Sequence, residues 1–528
     1  MKKSLLVILV VCMVFSIVGC GSEDVVNEGD DDLRIIRIDD SNLGYPSVYT
    51  VSPRGRGYLL MSFIFDTLTW KDENGVVPML AEDWSVSEDQ KVWTFELVDN
   101  AQFTDGEPLT AEDVKFSYYY MMEHPHQWVN LNMIEQVEAV GEHTVEITLK
   151  EIYAPFITDI AGNVPIMPKH IWEDIQEPEK FNSEEAVIGS GPFTLKHYDK
   201  NVGHYIFEAN KDYFMGEPVI DKLKISDNSQ PSLALQNNEL DAAQHIRYGE
   251  AMELKEESDF EVLEGPGGWV YRMYFNFDND VLNNKKVRQA IYYAIDLDDF
   301  VERSLRGGGM AGNPGHIHPE SAWYYDHGID YEQDVEKAKK LLKESGVIEE
   351  GEELEFELLV RDSYVDEAEM IQGYLGEIGI NLNIKPMDQN SVDSLINEGK
   401  FEIALNGHGA FAGDPVLLAR FIGDDVDLGS TPAVTSQGGE SWNNHKFNEI
   451  FVDQLRELDE EKRYEKVAEL QKIIAEELPT LTLYYRKSTF AYNPNKLEGW
   501  FYTKDGVAIS VPTIQNKLIY INGTWMGE

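Results

Sequence analysis

Three strand patterns separated by helix patterns between residues 354 and 405 restrict the possible folds of this chain more than any other stretch. The strand patterns are Leu354–Val360, Ile380–Ile384 and Phe401–Leu405, and the helix patterns between them are Val365–Ile378 and Val392–Asn397. Strands that alternate with helices at this spacing form parallel βαβ units. The stretch therefore predicts a fold of the α/β class.

A different pattern stands nearer the N-terminus. Val92–Val98 and Val145–Lys150 alternate apolar and polar residues like half-buried strands, and a helical run from Ala111 lies between them. Thr110 and Asp113 begin this helix in the manner of a capping box. We expect an α+β portion added to the α/β fold.

Helical patterns also cover residues 334–345 and 447–478. Asp334 is a suitable N-cap for the first of them. The second is broken near Asp459 and precedes a strand pattern at Leu481–Tyr485. Because the chain has no repeat of about 20 to 50 residues, the sequence argues against solenoid and propeller folds.

Composition indicates a folded and strongly acidic protein. Apolar residues make up 42% of the chain, and 44 basic against 95 acidic residues give a formal net charge of −51. This charge repels polyphosphates and argues against nucleic-acid binding. The length suggests roughly three domains or lobes. The only cysteines are Cys12 and Cys20, so we expect no disulfide in the mature chain.

The N-terminus has the pattern of a bacterial lipoprotein signal. A positively charged start precedes Leu5–Val18, which is shorter than the about 20 apolar residues of a membrane-spanning helix. Ile17–Cys20 resembles the lipoprotein box, in which the cysteine is lipidated. We predict a signal peptide at 1–19, lipidation of Cys20 and a disordered acidic tether at 20–32. An uncleaved signal anchor is the alternative.

Short motifs follow one another in a characteristic order along the chain. The first are GVVPMLAEDW at residues 75–84, FTDG at 103–106 and PLTAEDV at 108–114. The later ones are Ile188–Phe193, Asn210–Phe214, Val287–Ala290, Gly413–Pro415 and Leu470–Pro479. This order resembles the solute-binding proteins of oligopeptide, dipeptide and nickel ABC transporters, known as family 5.

The resemblance implies a periplasmic-binding-protein-like type II fold of the α/β class, with two lobes and a central ligand cleft. Lobe I is expected at residues 33–69, 189–277 and 486–528, its extra subdomain at 70–188, and lobe II at 278–485. The crossovers between the lobes would lie near Tyr274–Asp278 and Leu483–Arg486. Such lobes close on the ligand about a hinge.

The loop at residues 45–57 is one candidate ligand contact. It follows a predicted strand, Leu33–Ile38, and ligands of α/β sheets bind outside the carboxyl ends of strands. Arg54 or Arg56 could hold a carboxylate through two hydrogen bonds, or each could be an ordinary surface arginine. Trp269 precedes the first predicted crossover and is either a core or hinge aromatic or a ligand contact.

The stretch at residues 406–415 is a second candidate. In peptide-binding members of the family, a carboxylate shortly before an Asp-Pro pair holds the ligand ammonium group, but the positions near Phe411 contain no acid. Nickel-chelate binders place a histidine ahead of this pair, where Asn406 stands here, with His408 two residues later. Asp414 is either a ligand contact or the cap of a helix that begins at Pro415.

Trp442 and Asn443 lie in the following loop, where aromatic residues of the family line the pocket. A stacking role for Trp442 follows from this resemblance. Together with the arginines, Trp269 and residues 406–415, they complete the set of candidate ligand contacts.

Other motifs lack the context that their chemistry needs. The pairs His124/His126 and His316/His318 have no third ligand at metal-binding spacing, so we interpret them as surface histidines. Gly307–Gly312 matches G-x-G-x-x-G but follows a helix pattern. The sequence contains neither a Walker loop nor a G-x-S-x-G elbow, and we expect no cofactor and no metal.

The sequence thus predicts a lipid-anchored extracytoplasmic protein without catalysis. It would deliver a small ligand, in this family most often a peptide, to the permease and ATPase subunits of an ABC importer. A nickel chelate is the alternative if His408 or His316 points into the cleft, and an oligosaccharide is the alternative if Trp269 and Trp442 face each other there. A ligand sensor and a secreted hydrolase are alternatives of a different class.

Overall fold

The structure, a computed structural model, describes most of the chain from residue 32 onward. The described residues are 32–53, 55–126, 128–244, 246–257, 259–348, 352–408, 413–422, 442–507, 511–513 and 516–527. The predicted signal peptide, Cys20 and the tether lie outside these residues, apart from Asp32.

The strands are numbered in chain order. They are β1 Ile35–Asp39, β2 Thr69–Lys71, β3 Val76–Pro78, β4 Ala81–Val86, β5 Val92–Leu97, β6 Ile134–Ala139, β7 Thr144–Leu149, β8 Phe193–Asp199, β9 His204–Ala209, β10 Lys222–Ser226, β11 Ala242–Gln244, β12 Glu261–Phe275, β13 Gly309–Ala311, β14 Leu354–Arg361, β15 Ile380–Met387, β16 Ile403–His408, β17 Thr480–Tyr492, β18 Leu497–Glu498, β19 Thr503–Val507, β20 Val511–Thr513 and β21 Thr524–Trp525.

The α-helices are numbered in the same way. They are α1 Gly55–Met61, α2 Ala111–Glu123, α3 Lys169–Trp172, α4 Pro231–Gln236, α5 Tyr248–Glu256, α6 Asp280–Asn283, α7 Lys285–Ala294, α8 Leu297–Leu305, α9 Val335–Ser345, α10 Val365–Gly376, α11 Gln389–Asn397, α12 His445–Gln454, α13 Glu460–Glu477 and α14 Ile519–Asn522. Short 3₁₀-helices cover Pro178–Lys180, Glu184–Val187, Asp362–Tyr364 and Pro415–Phe421, and a π-helix covers Phe156–Ala161.

One large mixed sheet runs through both halves of the chain. Its order is β15-β14-β16-β12-β17-β11-β1-β10-β9-β8, and β13 pairs with β17 outside this path. β14 is parallel to both β15 and β16, which confirms the predicted βαβ units and the α/β class. A separate antiparallel sheet, β4-β5-β7-β6, contains the two strands predicted for the added α+β portion.

Two long strands occupy the middle of the large sheet. β12 pairs with β17 from Glu261 to Tyr274, with register shifts between Pro266 and Val270 and between Tyr271 and Arg272. The strands from predicted lobe II lie on one side of this pair, and those from predicted lobe I lie on the other. β17 begins at Thr480, one residue before the predicted start at Leu481, and extends beyond the predicted end to Tyr492. The lobe boundaries and crossovers stay a prediction.

The helix ends follow the predicted capping residues. Asp334 accepts a hydrogen bond from Lys337 N at 2.8 Å and begins α9, and Gly346 ends it with a φ of 72°. Asp459 begins α13 in the same way, which explains the predicted break between α12 and α13. None of the helices in the described residues is long and apolar enough to cross a membrane.

Candidate functional site

A row of polar side chains crosses the large sheet where β14 and β16 end. Arg272 of β12 is the cross-strand partner of Asn406 in β16 and of Thr482 in β17. Arg361 is the last residue of β14, and its Nη2 and the Nδ2 of Asn406 both donate to Asp393 Oδ1, each at 3.0 Å. Ligands of α/β sheets bind outside the carboxyl ends of strands, so the row lies at the edge expected of a binding site.

Arg272 is the deepest charge in this row, with 2% of its surface exposed. Its Nη2 donates to the Tyr274 hydroxyl at 2.6 Å, and its Nη1 lies 3.4 Å from His316 Nε2. Its Nε is buried and has no hydrogen-bond partner. Burial lowers the pKa of Arg272, because it disfavours the charged form.

His316 packs against this arginine as a neutral ring. Its Nδ1 lies 2.9 Å from Thr482 Oγ1, and its ring meets Phe421 edge-on with the centroids 4.7 Å apart. Burial, and then the charges of Arg272 and Arg420, lower the pKa of His316 well below its ordinary value. A neutral ring can accept a hydrogen bond from Arg272 at Nε2 while its Nδ1–H donates to Thr482 Oγ1.

The surface location predicted for the second histidine pair is wrong. His316 is fully buried and His318 is 8% exposed, because the rings of Phe421 and Tyr485 cover them. Burial lowers the pKa of His318 to about 4. Sequence spacing gave no sign of these aromatic neighbours, which come from distant parts of the chain.

Arg420 lies near Arg272 at the end of the 3₁₀-helix Pro415–Phe421. It is half-buried, and its Nε is buried without a hydrogen-bond partner. Burial, and then the positive charge of Arg272, lower the pKa of Arg420 to about 10. The two guanidinium groups therefore repel each other in a poorly solvated place.

Asp414 stands at the start of the same 3₁₀-helix. Its Oδ1 accepts a hydrogen bond from Val416 N at 2.9 Å, which confirms the predicted cap. Both carboxylate oxygens also accept hydrogen bonds from Arg463 of α13, one of them at 2.7 Å from Nη1. Both side chains are less than 10% exposed. This carboxylate is already neutralised, and a direct ligand contact by Asp414 stays a prediction.

Trp269 of β12 borders a cavity of about 870 Å³. The indole lies on the backbone of β16, because a Cβ on Gly407 would stand 2.3 Å from Trp269 Nε1. That Nε1 and the Nε of Arg486 are buried and have no hydrogen-bond partner. The remaining charged or aromatic residues around the cavity are Arg247, Tyr248, Glu250, Glu253, Arg306 and Lys487.

The candidate arginine loop lies at the carboxyl end of β1. Arg56 donates from Nη2 to the buried carboxylate of Asp40, so this arginine already holds a carboxylate of the protein itself. Arg54 lies outside the described residues. A ligand contact by either arginine stays a prediction.

The other predicted contacts lie in two segments of the chain, residues 406–408 and residues 442–443. Asn406 is 5% exposed and belongs to the polar row. His408 is the last residue of β16, and its side chain lies outside the described part of the structure. Trp442 packs edge-on against Phe447 with the centroids 5.3 Å apart, and Asn443 Oδ1 accepts from Asn448 Nδ2 at 2.8 Å.

Sequence reasoning missed the three arginines Arg272, Arg361 and Arg420. One signal was available, since Arg272 interrupts the apolar run VYRMYF and Arg361 directly follows a strand and precedes a helix. Nothing local to Arg420 distinguishes it from a surface arginine. Within the described residues, no group of three or more His, Cys, Asp or Glu side chains is placed to hold a metal ion.

The chain matches one protein family over most of its length. The sequence profile of the family described as bacterial extracellular solute-binding proteins, family 5 Middle, matches residues 75–425. The dipeptide-binding protein of Escherichia coli is 28% identical over 443 residues, which are 77% of this chain and 80% of that protein.

Solved structures share the fold. The ABC transporter substrate-binding protein CtaP of Listeria monocytogenes has a TM-score of 0.75 at 24% identity, covering 88% of this chain and 95% of that chain. NikZ of Campylobacter jejuni, solved with Ni(L-His), has a TM-score of 0.69 at 24% identity and covers 91% and 97% of the two chains. These similarities confirm the predicted type II periplasmic-binding-protein-like fold.

Proposed function

The chain belongs to the bacterial extracellular solute-binding proteins of family 5, and we propose that the solute it binds is a short peptide. The dipeptide-binding relative covers most of both chains, which favours a peptide over the other ligands of this fold. The protein would pass the peptide to the permease of an ABC importer, whose ATPase supplies the energy.

The observation that carries this proposal is the cavity beside Trp269. Its volume of about 870 Å³ lies within the range of small-molecule sites and accommodates a peptide of a few residues. Arg486 lines the cavity, and a guanidinium group suits the carboxylate of a peptide. The indole of Trp269 offers an apolar surface.

Capture would proceed by closure about β12 and β17. These strands are paired along most of their length, and the shift between Pro266 and Val270 is a suitable place for bending. A ligand that contacts both sides of this point binds the closed form more tightly, so it shifts the population toward closure.

The N-terminal motif supports a lipid anchor on Cys20. The anchor would hold the protein at the outer face of the cell membrane, and residues 21–32 would act as a flexible tether. A soluble binding domain would then stay close to its permease.

Calorimetric titration tests the peptide assignment. The protein without its signal peptide and its lipidated cysteine, residues 21–528, is titrated with a panel of dipeptides and tripeptides, and nickel with histidine serves as the comparison. We expect at least one peptide to bind and to raise the melting temperature by the amount that its Kd predicts. Binding of nickel–histidine in the absence of any peptide binding would contradict the proposal.

A further inference from the structure

Arg272, which is buried, and Arg420, which is half-buried, bring two positive charges into one small region of the molecule. The guanidinium carbon of Arg272 lies 4.5 Å from the centre of the Tyr274 ring and 5.9 Å from that of Phe421. Phe421 directly follows Arg420 and packs against His316, which in turn contacts Arg272. The pKa of Arg420 responds to the charge of Arg272 and to Tyr274, so the two arginines lie in the same region.

No carboxylate among the described residues forms an ion pair with either arginine. The partners of Arg272 are the hydroxyl of Tyr274 and the neutral ring of His316. The Nε atoms of Arg272 and Arg420 are both buried without a partner. A buried charge is costly unless an opposite charge or several hydrogen bonds compensate it.

Two other buried arginines show how this protein usually compensates such a charge. Arg288 makes four hydrogen bonds of 2.7–2.9 Å to backbone carbonyls at the ends of α6 and α13. Arg463 forms its ion pair with Asp414. Arg272 and Arg420 lack both kinds of compensation, which indicates that their partner is not part of the described chain.

The location of the pair points to the ligand as that partner. Arg272 belongs to the polar row at the carboxyl ends of β14 and β16, next to Asn406. Arg420 is the more exposed of the two arginines. An oxygen pair of a carboxylate or phosphate matches the donor geometry of guanidinium groups.

We propose that Arg272 and Arg420 bind an oxyanionic group of the transported solute, which is therefore an acidic one. This inference rests on the proposed function, because it specifies the ligand of the same binding protein. A neutral zwitterionic peptide would leave the net charge of the two arginines unchanged, whereas a peptide with an additional carboxylate would offset one of the two positive charges.

The test compares two peptides that differ in one charge, Ala-Glu and Ala-Gln, and uses inorganic phosphate as a probe for the anion site alone. Ala-Glu, Ala-Gln and inorganic phosphate are titrated into the wild-type protein, Arg420→Gln and the control Arg303→Gln, an exposed arginine of α8. We expect wild type and the control to bind Ala-Glu at least tenfold more tightly than Ala-Gln. Arg420→Gln should lose this preference while its affinity for Ala-Gln changes less than twofold.

Folding of each variant is checked by circular dichroism and melting temperature. Arg420→Lys serves as a second variant, because it keeps the charge while losing the two-pronged donor, and it should retain part of the preference. Equal weakening of Ala-Glu and Ala-Gln by Arg420→Gln, or no effect on either, would overturn the inference.

The outcomes separate this inference from the proposed function. Peptide binding with no preference for Ala-Glu would overturn the inference of an acidic ligand, but it would agree with the proposed function in peptide binding. Phosphate binding that Arg420→Gln abolishes, without any peptide binding, supports the anion site and contradicts the peptide assignment. If none of the three probes binds to the wild-type protein, both fail.

Discussion

Ionic residues have different roles in this protein because their partners differ. Asp414 and Arg463 neutralise each other and connect the 3₁₀-helix Pro415–Phe421 to α13. Arg272 and Arg420 remain without a counter-charge among the described residues. At the residue scale, the first pair stabilises the fold, and the second pair is the basis for the proposed acidic ligand.

Removal of Arg463 should reveal the structural role of its pair. Arg463→Ala leaves the carboxylate of Asp414 buried without a counter-charge, so we expect the unfolding free energy to fall by about 3 kcal/mol or more. Urea unfolding measures the change. The control Lys340→Ala removes an exposed ion pair with Glu344 and should cost less than about 0.5 kcal/mol. A similar loss in both variants would contradict the assignment.

The buried His318 should make stability depend on pH. Its folded pKa is about 4, below the ordinary value of about 6.5, so the unfolded chain binds more protons as the pH falls through 6.5. The stability that this histidine contributes is therefore present above that pH and is lost on acidification.

The variant His318→Asn tests this pH dependence. Asn can still accept the hydrogen bond from Glu320 N but does not titrate. Between pH 7 and pH 5, the wild type should lose about 2 kcal/mol more unfolding free energy than the variant. Parallel curves of unfolding free energy against pH would show that His318 is not the cause.

At the scale of secondary structure, several helices begin where a side chain caps their first turn. Asp334, Asp459 and Asp388 each accept a hydrogen bond from a backbone N–H in the first turn of the following helix. The lengths of β12 and β17, by contrast, depend on the partners available on both sides in the sheet.

The cap of α9 offers a direct test at this scale. Asp334→Ala removes the acceptor for Lys337 N, and we expect a loss of about 1 kcal/mol in unfolding free energy. Glu336→Ala, in the same first turn and largely exposed, is the matched control and should change stability less. Denaturant unfolding of both variants measures the difference, and equal losses would argue against a capping role.

At the scale of the whole molecule, a net charge of −51 surrounds a candidate site that is rich in arginine. The long-range field repels an acidic solute, whereas the buried arginines attract it at short range, where screening by salt is weaker. The site would therefore depend on local contacts for binding an acid.

The lipid anchor belongs to the same scale, because it determines where the entire domain resides. Cys20→Ser removes the only thiol available for lipidation in the mature chain, so the protein should move from the membrane fraction to the medium. Cell fractionation followed by immunoblotting measures this, with Cys12→Ser as the control that keeps the anchor. Retention of Cys20→Ser in the membrane would contradict lipidation.

The sequence by itself determined the types of the elements, their caps, the parallel βαβ units and the family. These follow from the spacing of apolar residues and from motifs that are read within a few positions. Only the tertiary structure decided which charged groups are compensated. Arg272, His316 and Arg420 are far apart in the chain, and their burial and partners arise when β12, the segment around His316 and the 3₁₀-helix Pro415–Phe421 pack together. Local spacing carries no information about that packing, because burial depends on neighbours that the fold brings from elsewhere.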